Sequence, residues 1–218
     1  MMKYKYAFFD LDGTLTDSQA GIINSIMYSL DKNNLPYRDR EYLKRYIGPP
    51  LLEMFKSEYS VDDTMARKLV ADFRERFKDI GIFENEVYGG IPELCEKLEK
   101  AGVKLVVATS KPEMFAVRIM DHFDLSKYFV LISGSMPDET RTDKAEVICH
   151  SLNTLGITDR SQVIMVGDRF HDVEGAAKNG LDCIGVLYGY GSREELTKAG
   201  AAFIAPRVED IFSIIEGK

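Results

Sequence analysis

The sequence predicts an α/β protein: a doubly wound, Rossmann-like parallel sheet with a small all-helical unit inserted near its N-terminus. Three observations carry that expectation. From about residue 87 onward, short apolar runs alternate with helical patterns, the rhythm of a parallel sheet wrapped by helices. The stretch from Thr16 to Glu86 breaks that rhythm and carries no strand pattern. The first apolar run, Tyr6-Ala7-Phe8-Phe9, ends in Asp10-Leu11-Asp12-Gly13-Thr14, and the carboxyl end of a strand is where such sheets hold their ligands.

Taken in order, the opening strand comes first. Side chains two apart on an extended segment point the same way, so Asp10 and Asp12 are expected to face one cavity while Gly13 lets the chain turn away. Two like charges about 4 Å apart repel by roughly 4 kcal/mol at an effective dielectric of about 20, which a cation or a retained proton would relieve. Asp-Gly also favours ordinary tight turns. Next, Ile22, Ile23, Ile26, Met27 and Leu30 make one helical apolar stripe and Leu69, Phe73 and Phe77 another, with Gly48-Pro49-Pro50 between them. These stripes read as the core of a small bundle, inserted where it can serve as a lid over the carboxylates. The expected division is 1–15 with 87–218 for the α/β core and 16–86 for the helical cap. Within the core, strands are expected at Lys104 to Ala108, Tyr128 to Ser133, Val163 to Val166 and Cys183 to Leu187. Helices are expected at Ile91 to Ala101, with Pro92 in its first turn and Gly102 past its end, at Thr142 to Leu155, and at Val173 to Asn179 before Gly180.

The charge balance limits the partners. A net charge of −7 argues against a nucleic-acid or anionic-membrane surface, so an anionic substrate must be held by local positive charge. Cys95, Cys149 and Cys183 are scattered with no CxxC pair, which suggests neither a disulfide framework nor a zinc site and fits a reducing cytoplasm. No apolar stretch approaches a membrane-spanning length. The expectation is a soluble cytoplasmic protein with no obligate protein partner.

Three further segments carry chemistry. Gly167-Asp168-Arg169-Phe170-His171-Asp172 follows an expected strand, and Asp168 repeats the placement of Asp10; Asp172 also reads as a helix N-cap. In Val106-Val107-Ala108-Thr109-Ser110-Lys111-Pro112 a hydroxyl pair ends a strand and Pro112 opens a helix. Such hydroxyls serve as caps, and with freed N–H groups they also suit an oxyanion. Lys144, in Arg141-Thr142-Asp143-Lys144, opposes the helix dipole, so it is either a surface lysine or a charge-neutralising group. Gly189-Tyr190-Gly191-Ser192 reads as a strand-end turn, since it has neither dinucleotide nor P-loop spacing. His122, His150 and His171 lack zinc-ligand spacing.

These four acidic, hydroxyl and lysine motifs, in this order and over nearly the whole chain, resemble the haloacid dehalogenase superfamily. The helical insertion after the first motif is similar to the subgroup of phosphoglycolate phosphatases, several nucleotidases and pyrophosphatases, and β-phosphoglucomutase. The resemblance implies Asp10 as nucleophile, Asp12 as general acid and base, and Thr109, Ser110 (through its amide) and Lys144 as phosphate holders. It implies Mg2+ held by Asp10, Asp168 and the Asp12 backbone carbonyl, with Asp172 in support; hard carboxylate oxygens suit that ion. The implied reaction is hydrolysis of a small phosphorylated metabolite through an aspartyl-phosphate. An acid at position 12 points to phosphate esters, because a halide leaving group needs no proton. Arg45-Tyr46-Ile47-Gly48-Pro49-Pro50 looks more like a phosphatase cap loop than a mutase one. 2-Phosphoglycolate is the first expected substrate, followed by nucleoside 5'-monophosphates (5'-nucleotidase) and pyrophosphate. A receiver-like phospho-aspartate signalling module shares the residue types, but chain length and the insertion oppose it.

Overall fold

The computed structural model describes residues 2–48, 51–136, 141 and 143–218. The chain divides into two compact units, 1–16 with 87–218, and 17–86.

In the first unit a six-stranded sheet is built from β1 (Tyr6–Phe9), β4 (Lys104–Pro112), β5 (Phe129–Ser135), β6 (Val163–Gly167), β7 (Asp182–Val186) and β8 (Phe203–Ala205). Its strand order is β5-β4-β1-β6-β7-β8, and all five pairings are parallel. From β1 the chain fills one side with β4 and β5, then crosses to fill the other with β6 to β8. That switch of direction opens a crevice at the carboxyl end of β1. Phe9 aligns with Val107 on one side and Val166 on the other, so the residues following these strands emerge at one level. The connecting helices are α5 (Ile91–Lys100), α6 (Glu113–His122), α7 (Lys144–Thr154), α8 (Phe170–Lys178), α9 (Arg193–Ala199) and α10 (Val208–Glu216). Phe8, Val106 and Met165 from three neighbouring strands pack with Val147, Ile148 and Leu152 of α7 and Val173 and Ala176 of α8. This burial explains why the central strands read as continuous apolar runs rather than alternating ones.

In the second unit the helices are α1 (Gln19–Lys32), α2 (Arg40–Leu43), α3 (Leu51–Tyr59) and α4 (Asp63–Phe77). Ile22, Ile23, Ile26 and Leu30 of α1 and Leu69, Phe73 and Phe77 of α4 are buried, whereas Met27 is half-buried. Ser29 Oγ donates to the Leu69 carbonyl at 2.7 Å, locking α1 to α4. Asp72 is also buried here. It meets Lys32 at 2.8 Å and Lys68 at 3.0 Å, and accepts from Asn33 Nδ2 at 2.8 Å.

Several elements depart from expectation. Two-residue strands, β2 (Thr16–Asp17) and β3 (Glu86–Val87), pair with each other, where the segment 16–86 carries no strand pattern; two residues are too few to show a period. β4 runs on to Pro112 through a register shift after Ala108. α8 starts at Phe170, before Val173, because Asp172 caps its first turn from inside the helix. α7 starts at Lys144, capped by Asp143. The expected start at Thr142, and Pro49 and Pro50 of the cap loop, lie outside the described residues. Among the described residues no helix is long and apolar enough to cross a membrane.

Candidate active site

Asp10 follows β1 directly, and its N–H donates to the Val166 carbonyl at 2.9 Å, keeping it in the sheet ladder. Beyond it Leu11 is buried, and its carbonyl accepts from Leu15 and Thr16 N–H at 2.9 and 3.0 Å. Gly13, at φ +84, makes the turn that a side chain would resist. Asp168 follows β6, and Asp172 is the third residue of α8. These elements bring the carboxylates of Asp10, Asp168 and Asp172 together, with ligand oxygens within 4.8 Å of one another. Asp172 is not the N-cap of α8: that position is Arg169, whose N–H donates to Asp172 Oδ2 at 3.0 Å.

Lys144 opens α7 with its side chain turned inward and only 4% exposed, which excludes the surface placement. Its Nζ lies 2.7 Å from Asp10 Oδ1 and 2.8 Å from Asp172 Oδ1, and donates to the Ala108 carbonyl at 3.1 Å. The two carboxylate contacts are ion pairs by distance; neither Oδ1 receives a hydrogen bond of good angle. Gly175 makes the room, since a Cβ there would stand 2.8 Å from Lys144 Cγ.

The Lys144 ammonium thus pairs with two of the three carboxylates, and the proton affinities respond. Burial pushes the Asp168 carboxyl well above the usual carboxylate range, and the charges of Asp172 and Asp10 push it further. Burial likewise raises Asp172, to about 6, although Lys144 opposes the rise. For Lys144 burial works against the charge, but Asp10 and Asp172 overcome it and hold the ammonium above its ordinary value. Like charges crowded out of water are relieved by protonation or by a cation. Three carboxylates converging with net negative charge fit a hard divalent ion such as Mg2+. Among the described residues, no histidine or cysteine joins this cluster.

On the other flank of β1, Thr109 is buried and Ser110 half-buried, at the irregular end of β4. Thr109 Oγ1 accepts from Lys111 N–H at 3.3 Å. Asp12 turns away from the carboxylate cluster: its Oδ2 meets Lys111 Nζ at 2.7 Å, with that lysine side chain 6% exposed. Asp12 Oδ1 is buried without a hydrogen-bond partner. Lys111 is therefore a second cation at the site that the motif reading passed over. The signal was available: two residues beyond Thr109 on an extended strand, Lys111 faces the same way. The segment after β7 belongs here as well, since Tyr190 N–H donates to Asp168 Oδ2 at 2.8 Å. Thr14 Oγ1 donates to Asp168 Oδ1 at 3.4 Å.

Residues 7–186 match the haloacid dehalogenase-like hydrolase family. The chain is 46% identical over 195 residues to a 5'-nucleotidase of Pseudomonas aeruginosa, covering 89% of this chain and 88% of that one. It is 36% identical to the tyrosine-protein kinase PtkA of Mycobacterium tuberculosis over 90% of this chain and 66% of that one. Phosphoglycolate phosphatase of Pseudomonas savastanoi pv. phaseolicola is 27% identical over 98% of this chain and 79% of its own length. Among solved structures, a predicted phosphatase from Clostridium acetobutylicum superposes with a TM-score of 0.93 at 45% identity, covering 97% of this chain and 98% of that one. The chain belongs to the haloacid dehalogenase-like hydrolase family.

Proposed function

We propose that the chain, a phosphatase of this family, hydrolyses small phosphomonoesters with Mg2+ through an aspartyl-phosphate on Asp10. The observation that carries this reading is the convergence of the Asp10, Asp168 and Asp172 carboxylates, two of which, Asp10 and Asp172, pair with the Lys144 ammonium. Asp10 and Asp168, with the main-chain carbonyl of Asp12, would hold Mg2+, and the bound ion supplies charge neutralisation that lets a carboxylate approach a phosphate dianion.

Asp10 Oδ attacks phosphorus, and the bond from phosphorus to the leaving oxygen breaks. Asp12 gives that oxygen its proton, then takes one from the water that attacks the aspartyl-phosphate, releasing inorganic phosphate and free Asp10. Lys144 takes up charge on the transferring oxygens. Thr109 Oγ1 and the Ser110 amide hold those oxygens in line for transfer. Asp172 supports the site by orienting Lys144.

The similarity to a 5'-nucleotidase at 46% identity, against 27% for a phosphoglycolate phosphatase, supports nucleoside 5'-monophosphates ahead of 2-phosphoglycolate; pyrophosphate is the third candidate. We assign substrate choice to the cap, residues 16–86, and the cytoplasm to the protein, a placement supported by its free cysteines, of which Cys95 and Cys183 are buried. The test is phosphate release from a panel of nucleotides, phosphoglycolate, sugar phosphates and pyrophosphate, with Mg2+ and with chelator. Mg2+-dependent release is expected. A long-lived phosphoprotein without turnover would instead favour the receiver-like module.

A further inference from the structure

Gly189-Tyr190-Gly191 takes no part in the steps above, yet it presses on Asp168 more closely than side chains permit. A Cβ at position 189 would stand 2.3 Å from the Gly13 carbonyl oxygen and 2.4 Å from Asp168 Cβ; one at position 191 would stand 1.9 Å from the Asp168 carbonyl oxygen. Neither glycine has a positive φ, so space, not backbone conformation, demands glycine at both. A Cβ on Gly13 would likewise meet Asp168 Oδ2 at 2.3 Å. Beside them the Tyr190 N–H donates to Asp168 Oδ2 at 2.8 Å. The Tyr188 hydroxyl donates to the Thr14 carbonyl at 3.0 Å, tying the same segment to the loop that carries Asp12 and Gly13.

We propose that Gly189, Tyr190 and Gly191, anchored by the Tyr188 hydroxyl on the Thr14 carbonyl, are the positioning residues of Asp168, aiming its carboxylate at the cation; this rests on the Mg2+ reading above. Glycine permits close backbone approach. A carboxylate approached closely by the backbone at Gly13 and Gly189 and held by a main-chain amide keeps one orientation, and such outer partners tune a ligand's grip on its metal.

The experiment measures Mg2+ affinity of the whole chain by calorimetry, alongside the Mg2+-induced rise in melting temperature. In Gly189→Ala the dissociation constant is expected to weaken by about tenfold or more, the Mg2+-induced rise to shrink, and activity to recover as Mg2+ is raised. Gly89→Ala, where an added methyl meets nothing within 4 Å, is expected to match the wild type. A lower melting temperature with unchanged Mg2+ affinity in Gly189→Ala would mean a merely structural role and overturn the proposal alone. No Mg2+ response in the wild type would overturn the metal reading and this inference with it. Should Gly189→Ala not fold, Tyr188→Phe decides, since it deletes only the bond to Thr14: roughly threefold weaker Mg2+ binding supports the proposal, and unchanged binding overturns it.

Discussion

In the helical unit Asp72 is buried beside two lysines and an amide, whereas in the α/β unit Asp10, Asp168 and Asp172 crowd together and the Lys144 ammonium pairs with Asp10 and Asp172. The consequences run in opposite directions. Burial works to raise Asp72, but Lys32, Asn33 and Lys68 overcome it and hold that carboxyl far below the usual range. Asp168 and Asp172 are raised instead. A carboxylate whose charge is answered by its own fold stabilises that fold. Carboxylates left short of positive charge cost the empty fold stability that a bound cation would restore.

The sharpest break of this comparison is Asp10→Asn. Turnover is expected to fall by on the order of 10^4-fold or more, since an amide is a poor nucleophile, while the melting temperature without metal holds or rises because one crowded charge is gone. Normal activity, or a collapse of stability, would contradict the contrast. Lys144→Ala comes next. Removing the ammonium leaves buried Asp172 and half-buried Asp10 without their ion-pair partner, a change that costs about 3–5 kcal/mol, and phosphate affinity and rate are expected to fall together; denaturant melts with steady-state kinetics check both.

Lys111→Met is expected to cost up to about 100-fold in kcat through misplacement of Asp12. The loss should be larger for alkyl phosphates than for aryl phosphates, whose leaving groups need no proton, and equal losses would separate Lys111 from Asp12. Smallest is Asp72→Asn, expected to leave kcat unchanged and to lower stability by about 1 kcal/mol at neutral pH. The folded carboxyl is depressed, so its contribution is full above the unfolded value of about 3.9 and fades as pH falls through the folded one. The gap between wild type and variant should therefore close in acid; a gap that persists there would point to packing.

What the chain order revealed, and what it concealed, follows the same physics. Asp10, Thr109 and Asp168 were legible because each ends an apolar run, and strand ends are where a parallel sheet places its chemistry. Lys144 was legible only as an exception to the helix dipole; its burial depends on the missing side chain of Gly175 in another helix. For Lys111 the spacing from Thr109 was visible, but its partner, Asp12, lies beyond a different strand, and strand order is not written in any local pattern. The Gly189 segment, read as a strand-end turn, does follow β7 as a bend, but its close packing against Asp168, which lies beyond another strand, is not written in it. β8, with three residues, is too short to carry a period.

The most direct measurement is acid-quench of the wild type during turnover with Mg2+, followed by peptide mapping of any acyl-phosphate. A phosphoryl group on Asp10 that forms only with the metal present is the predicted result. Mg2+-dependent turnover with no phosphoryl group on Asp10, or one on another residue, would contradict the account.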